Sequence, residues 1–330
     1  MAANPRGDAR QSGHSVVLIV AGDIGGTNAR FALAEVAKGK VLSLGEPVVL
    51  PASEFTGLAE AWQAFGERLN QPLPHHAAFG VAGPVTGGPV RFVNSHWVVD
   101  PASLAGELGL DCFSLLNDFG AMAHAVDALG PEHIVRLCGP DVPLPGRGAI
   151  SVIGPGTGLG VAVLQRRDDG VTVLETEGSH VHFAPLDEAE KQVSAAISTR
   201  HGRCSIERVV SGPGLGEVVR TFAPGDGRSD AQLWHDVIAG RDARAFDLFF
   251  AAYGAAVGDL SLAHGSLGVA LTGGLTNRIR HLLPSSRFHA RFCAKGRYRQ
   301  RMESIPVKLI THPQPGLYGA AAAFAREHAS

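Results

Sequence analysis

Short apolar runs bounded by Gly, Pro, Asn and Asp are interleaved along the chain with helical apolar spacing, a mixture that predicts an α/β protein. VVLIVAG (16–22), RFALAEV (30–36), a run from Val41 to Leu50, AAFGVAG (77–83), PVRFVN (89–94) and CFSLLN (112–117) read as strands. Asp100 followed by Pro101 predicts a helix start, with a carboxylate cap and a proline in the first turn. Another helix is expected over 118–129, entered directly from the strand before it. GAISVIG (148–154), GLGVAVLQ (158–165) and VTVLE (171–175) form a second strand series, followed by helical patterns around 187–200, 231–238 and 240–264. GVALTGG (268–274), VKLITH (307–312) and an Ala-rich helix from Gly316 to about Glu327 complete the prediction.

Strand, glycine turn, strand occurs twice, as VVLIVAGDIGGTNARFALAEV and as GAISVIGPGTGLGVAVLQ. The repetition suggests two similar α/β domains facing each other across a cleft; hairpins are also common enough for such a likeness to be accidental. A length of 330 residues suits one large or two medium domains. The 29 basic and 31 acidic residues nearly cancel, so no electrostatic footprint for nucleic acid or an anionic membrane is expected. Cys112, Cys138, Cys204 and Cys293 stand far apart with no CxxC pair, which suits free thiols better than disulfides or a zinc site. Residues 1–15, MAANPRGDARQSGHS, lack the apolar core of a secretory signal and read as a flexible tail. No stretch is expected to reach the roughly 18 to 20 apolar residues of a transmembrane helix, so a cytoplasmic protein is anticipated.

Neither glycine turn is a Walker A loop, since no G-x-x-x-x-G-K-[ST] occurs. GPGTGLG also fails the dinucleotide fingerprint, whose third glycine would fall at Leu159, and SGPGLG (211–216) fails it at Glu217. Each turn can be a plain hairpin or a cradle of bare backbone N–H groups for an anion, with a threonine hydroxyl as an extra donor. Asp23, just before the first turn, has the position to hold Mg²⁺ through water.

LLNDF (115–119) puts Asp118 where a strand gives way to a helix. Asp118 can be a helix cap or a reactive carboxylate; if it caps, Asn117 beside it is free to direct its amide elsewhere. Glu177 and His180 lie in a polar turn after VTVLE, and Glu207 in CSIERVVSGPG. Such a set can hold a polyol by directed hydrogen bonds, and phosphoryl transfer to a hydroxyl then needs one carboxylate as base. His180 and His182 have same-face strand spacing, but no third metal ligand stands out.

GDIGGTNARFAL, NSHW (94–97), LLNDFGAMA, GPGTGLGVA, EGSHVHFAP, ERVVSGPGL, LTGGL and THPQPGLYGAAA resemble, in order and over nearly the whole chain, the blocks of bacterial glucokinases. These form the non-ROK branch of the actin-like/hexokinase superfamily. The resemblance implies ATP-dependent phosphorylation of glucose at its 6-hydroxyl, with ATP and Mg²⁺ required. It further implies a homodimer and two ribonuclease-H-like α/β domains whose mixed sheets are flanked by helices, with a cleft between them. The division it implies is a small domain over 16–127, completed by 315–330, and a large one over 128–314.

By the same resemblance Asp118 is the catalytic base, and Asn117, Glu177, His180 and Glu207 are sugar ligands. Gly22, Asp23, Ile24, Gly25, Gly26 and Thr27 correspond to the first phosphate loop, Gly156, Thr157 and Gly158 to the second, and Gly273 and Gly274 to the adenosine-side loop. Asn94 and Pro84 belong to segments that line the sugar cleft. Ser179 and His182 depart from the usual glycine and aspartate, beside the ligands. A kinase for another hexose, such as mannose, fructose or an N-acetylated amino sugar, is the nearest alternative. An actin-like ATPase without sugar kinase activity is the more distant one.

Overall fold

The computed structural model describes residues 16–92 and 95–329. The expected tail over 1–15 and Asn94 lie outside the described residues. In chain order the first half contains β1 (Val17–Ile24), β2 (Asn28–Ala37), β3 (Lys40–Leu44), β4 (Val48–Pro51), α1 (Leu58–Leu69) and β5 (His76–Val81). The short pair β6 (Val90–Arg91) and β7 (Val98–Val99) follows, then α2 (Pro101–Leu108), β8 (Cys112–Asn117) and α3 (Asp118–Ala128).

The second half opens with β9 (Ile134–Cys138), β10 (Gly148–Pro155), β11 (Leu159–Arg167) and β12 (Gly170–Thr176). Helices α4 (Glu188–His201), α5 (Ile206–Val209), α6 (Gly214–Phe222), α7 (Asp230–Ile238) and α8 (Ala243–Ala263) come next. Then come β13 (Gly268–Leu271), α9 (Gly274–Ile279), α10 (Phe288–Cys293), α11 (Arg299–Glu303), β14 (Val307–Ile310) and α12 (Pro315–His328).

Two six-stranded sheets result, and they repeat one plan. The first runs β3-β2-β1-β5-β8 with β4 beside β2, the second β12-β11-β10-β13-β14-β9. In each, an antiparallel hairpin is followed by two strands parallel to its first strand. The duplicated hairpins of the sequence are therefore the starts of two sheets of equivalent topology.

Strand β1 reads as an unbroken apolar run because both of its faces are covered. Val20 and Ile24 pack with Trp62 and Phe65 of α1 and Leu104 of α2. Ile19 and Ala21 pack with Leu317, Ala320 and Phe324 of α12. On α3, Ala121 meets α12, whereas Ala123 and Val126 meet Ile150 and Val152 of the second sheet. Helices α3 and α12 thus form a small-residue layer between the sheets.

Several elements depart from the pattern. The run 41–50 divides into β3 and β4 at Gly45-Glu46-Pro47, where Gly45 N–H turns back to Leu33 O at 2.8 Å. Helix α1 lacks a start signal because Gly57 precedes it with no capping side chain, although Leu58, Ala61, Trp62 and Phe65 make a clear buried face. Helices α6, α9, α10 and α11 have five to nine residues and no side-chain cap, so packing rather than local signal defines them. Helix α8, contrary to the expectation from sequence, is long and apolar enough to cross a membrane. Its residues are mostly buried among Phe288, Phe292 and Val218, and a helix enclosed on most sides is apolar all round.

Candidate active site

Asp23 and Asp118 stand at the carboxyl ends of β1 and β8, with β5 between them. The strand between carries Gly80 at this level, in register with Asp23, and a Cβ there would lie 3.1 Å from the Ala121 side chain, so glycine lets the first turn of α3 pack close against β5. Asp23 Oδ2 accepts a hydrogen bond from Arg30 Nη1 at 3.0 Å, directly across the hairpin. Burial pushes the Asp23 pKa above the ordinary carboxylate range, and the Arg30 cation opposes that shift.

The first turn is narrower than the motif suggested. Gly22, Asp23 and Ile24 belong to β1, and Ile24 buries its side chain in the core. Gly25 N–H closes the turn on Asn28 O at 2.9 Å, and Thr27 O accepts from Ala52 N–H at 2.8 Å. Among the described residues, the N–H groups of Gly26 and Thr27 find no acceptor in the protein. In the second turn Gly156 N–H closes on Gly158 O at 2.8 Å, and the Thr157 and Gly158 amides are likewise without an acceptor among the described residues. Both hairpins thus expose two adjacent amide donors, which is what an anion requires.

Glu207 braces the second turn: its Oε2 accepts from Leu159 N–H at 2.9 Å, and its Oε1 has no partner among the described residues. Gly212 N–H donates to Gly156 O at 2.7 Å and ties the Ser211–Gly214 loop to the same turn. Gly273, at φ +93, takes a conformation that suits glycine and lies against Pro155 O. The predicted adenosine-side loop is therefore adjacent to the second turn.

Asn117, not Asp118, caps α3. Its Oδ1 accepts from Phe119 N–H at 2.8 Å and Gly120 N–H at 3.3 Å, and its Nδ2 donates to Gly83 O at 3.1 Å. Of the two roles the sequence left open for Asp118, capping falls to its neighbour instead, because Asn117 has extended backbone and Asp118 is the first helical residue. Asp118 Oδ1 shares Phe119 N–H at 2.9 Å, while its Oδ2 and one N–H of the Asn117 amide have no protein partner among the described residues. Phe119 fixes the other side: its ring lies where a Cβ on Gly160 of β11 would be, so the first turn of α3 is seated on the second hairpin.

The Asp118 pKa is raised from 3.8 to about 7. Burial is the largest cause; Asp23 adds to it, Phe119 N–H opposes it, and Glu177 and Glu175 raise it further. Carboxylates from both sheets therefore converge on one residue. Glu177 and His180 are both exposed, their side chains 3.8 Å apart, in the polar turn expected after β12, which closes as a single helical turn, so that the strand spacing suggested for His180 and His182 does not form. His182 instead makes an isolated bridge with Ser205.

Sequence reasoning missed Arg30, Phe119 and Glu175. Counting hairpin register from a two-residue turn at Gly26-Thr27, flanked by Gly25 and Asn28, pairs Asp23 with Arg30, so that partner was available in the sequence. Glu175 meets Asn117 from another sheet, and no local pattern announces such a contact.

A glucokinase family model matches residues 20–327. The glucokinase of Zymomonas mobilis is 48% identical over 318 residues, covering 94% of this chain and 98% of that protein. The glucokinase of Caulobacter sp. strain K31 is 38% identical, with 94% and 96% covered. Among solved structures, a glucokinase from an Antarctic psychrotroph superposes with a TM-score of 0.80 at 30% identity, covering 93% of this chain and 98% of that one. Glucokinase from Balamuthia mandrillaris in complex with glucose gives 0.77 at 21% identity, with 96% and 95% covered, a likeness of fold.

Proposed function

The chain belongs to the glucokinase family and phosphorylates glucose with ATP, and from that premise we propose that Asp118 is the general base of the transfer. The mixed α/β architecture is that of the actin-like ATPases. The observation that carries the reading of Asp118 is the convergence of Asp23, Glu175 and Glu177 on a half-buried carboxylate whose helix is capped by Asn117 and whose Oδ2 has no protein partner among the described residues. A pKa of about 7 makes it a stronger base than an exposed carboxylate, and one about half ionised at neutral pH. It takes the proton of the sugar 6-hydroxyl as the bond from that oxygen to the γ-phosphorus forms and the bond from the γ-phosphorus to the β–γ bridging oxygen breaks, so that ADP leaves and glucose 6-phosphate is the product. Phosphoryl transfer otherwise depends on positioning and charge stabilisation.

In this reading Asn117, Glu177, His180 and Glu207 orient the hexose. The bare amides of Gly26 and Thr27 and of Thr157 and Gly158 take the ATP phosphates, and the Gly273-Gly274 loop lies on the adenosine side. Asp23 Oδ1 has no protein partner among the described residues, which suits water-mediated Mg²⁺. Asp23 would hold the ion there, and the ion's positive charge would offset the negative charge of the phosphate groups. The proposal extends to a small domain (16–127 with 315–330) and a large one (128–314), to a homodimer, and to a cytoplasmic role at the entry to glycolysis.

Two measurements test the sugar set. Calorimetry on Glu177→Gln and Glu207→Gln should show glucose affinity reduced by about tenfold or more, the cost of losing a charged hydrogen bond. Unchanged affinity in both variants refutes their assignment. A coupled ADP assay over glucose, mannose, fructose and N-acetylated amino sugars should rank glucose first; higher kcat/KM for another hexose overturns the substrate preference.

A further inference from the structure

Strand β8 is the edge of the first sheet, so the N–H groups on its outer side have no neighbouring strand to receive them. The last residue of that strand, Asn117, donates its N–H to Glu175 Oε1 at 2.7 Å. Glu175 lies on β12, the edge strand of the other sheet. One hydrogen bond therefore joins the two sheet edges at the residue that caps the helix bearing Asp118.

The local sequence accommodates this contact. A Cβ on Gly120 would collide with the Glu175 carboxylate, so only glycine leaves room for it in the first turn of α3. With Oδ1 on the helix amides and Nδ2 on Gly83, Asn117 is held from three directions, and only the Glu175 bond comes from the second sheet. The oxygen is also placed at a helix N-terminus, where negative charge is favoured.

We propose that Glu175 is a positioning residue for phosphoryl transfer, holding the Asn117–Asp118 junction against the second sheet so that the base faces the sugar hydroxyl. The role rests on the reading of Asp118 as base. It requires an acceptor oxygen at the reach of a Glu or Gln side chain, and charge alone does not satisfy it.

Steady-state kinetics and thermal melting of Glu175→Ala, Glu175→Gln and Glu175→Asp test this. The Ala variant should lose about tenfold in kcat with KM for ATP within about twofold, since small misplacement of a reacting group is costly. The Gln variant keeps the acceptor and should stay within about twofold of wild type, while the Asp variant keeps the charge, is one methylene short, and should resemble Ala. A merely structural role lowers Tm without separating Gln from Asp in kcat. Wild-type kcat in the Ala variant, or better rescue by Asp than by Gln, overturns the proposal. Asp118→Asn is assayed alongside: an active Asp118→Asn enzyme removes the base reading itself, whereas an inactive one beside a fully active Glu175→Ala removes only the role of Glu175.

Discussion

Asp118→Asn is expected to lower kcat for glucose phosphorylation by about 10²- to 10⁴-fold, the usual contribution of a positioned base. Asparagine preserves the shape and can still accept from Phe119 N–H, so binding of glucose and ATP should change little. In the wild type, kcat/KM should fall as pH drops through about 7, because the carboxylate is the working form and burial with its acidic neighbours holds its pKa there. The same environment has a stability consequence. The unfolded chain ionises this residue near 3.8 whereas the fold keeps its proton to about 7. Stability therefore declines between those values and is level above them, the loss being on the order of 2 to 4 kcal/mol. The uncharged variant escapes that loss. It should melt higher than wild type at about pH 8, the gap closing near pH 4. Turnover above a tenth of wild type, measured as glucose-dependent ADP formation, would sink the assignment.

The second large effect is on the scaffold. Helices α3 and α12 cross at Gly319, where a Cβ would fall on the carbonyl oxygen of Ala121 and come within 3.0 Å of Ala125 N. Backbone atoms cannot rotate away as a side chain would, so Gly319→Ala must separate the helices. Overpacking of this kind costs about 1 to 3 kcal/mol or more, against a gain of about 1 kcal/mol in helix propensity. A fall in Tm of several degrees is expected. Turnover should fall with it, because α3 carries Asp118. Gly106 supplies the contrast: it lies inside α2, exposed, with nothing near a new Cβ. There the same change should leave activity intact and raise stability by up to about 1 kcal/mol. A Gly319→Ala protein as stable as wild type would mean that the two helices are free to part.

Much of the fold was legible because its signals are local. The apolar run of β1, the Asp100-Pro101 helix start and the Ala-rich C-terminal helix each follow from neighbouring residues, and each forms as expected. Helix α1 was missed for a local reason too, since glycine offers no cap to read. The site divides differently. Asp23, Asp118 and Glu177 were marked by their place at turns and strand ends, but which of Asn117 and Asp118 caps α3 depends on one residue's backbone angle. A carboxylate and an amide are both good caps, and the chain alone does not choose between them.

By itself the sequence determined the longer strands and the capped or long helices, the two glycine hairpins and the carboxylates beside them, because propensity, capping and turn chemistry act within a few residues. Only the tertiary structure decided that the sheets share one topology with α3 and α12 between them. It alone brought Asp23, Glu175 and Glu177 around Asp118, and braced the second turn with Glu207. Those outcomes depend on register and packing between segments far apart in the chain, where burial and mutual charge set the chemistry of a residue whose identity was plain from the start.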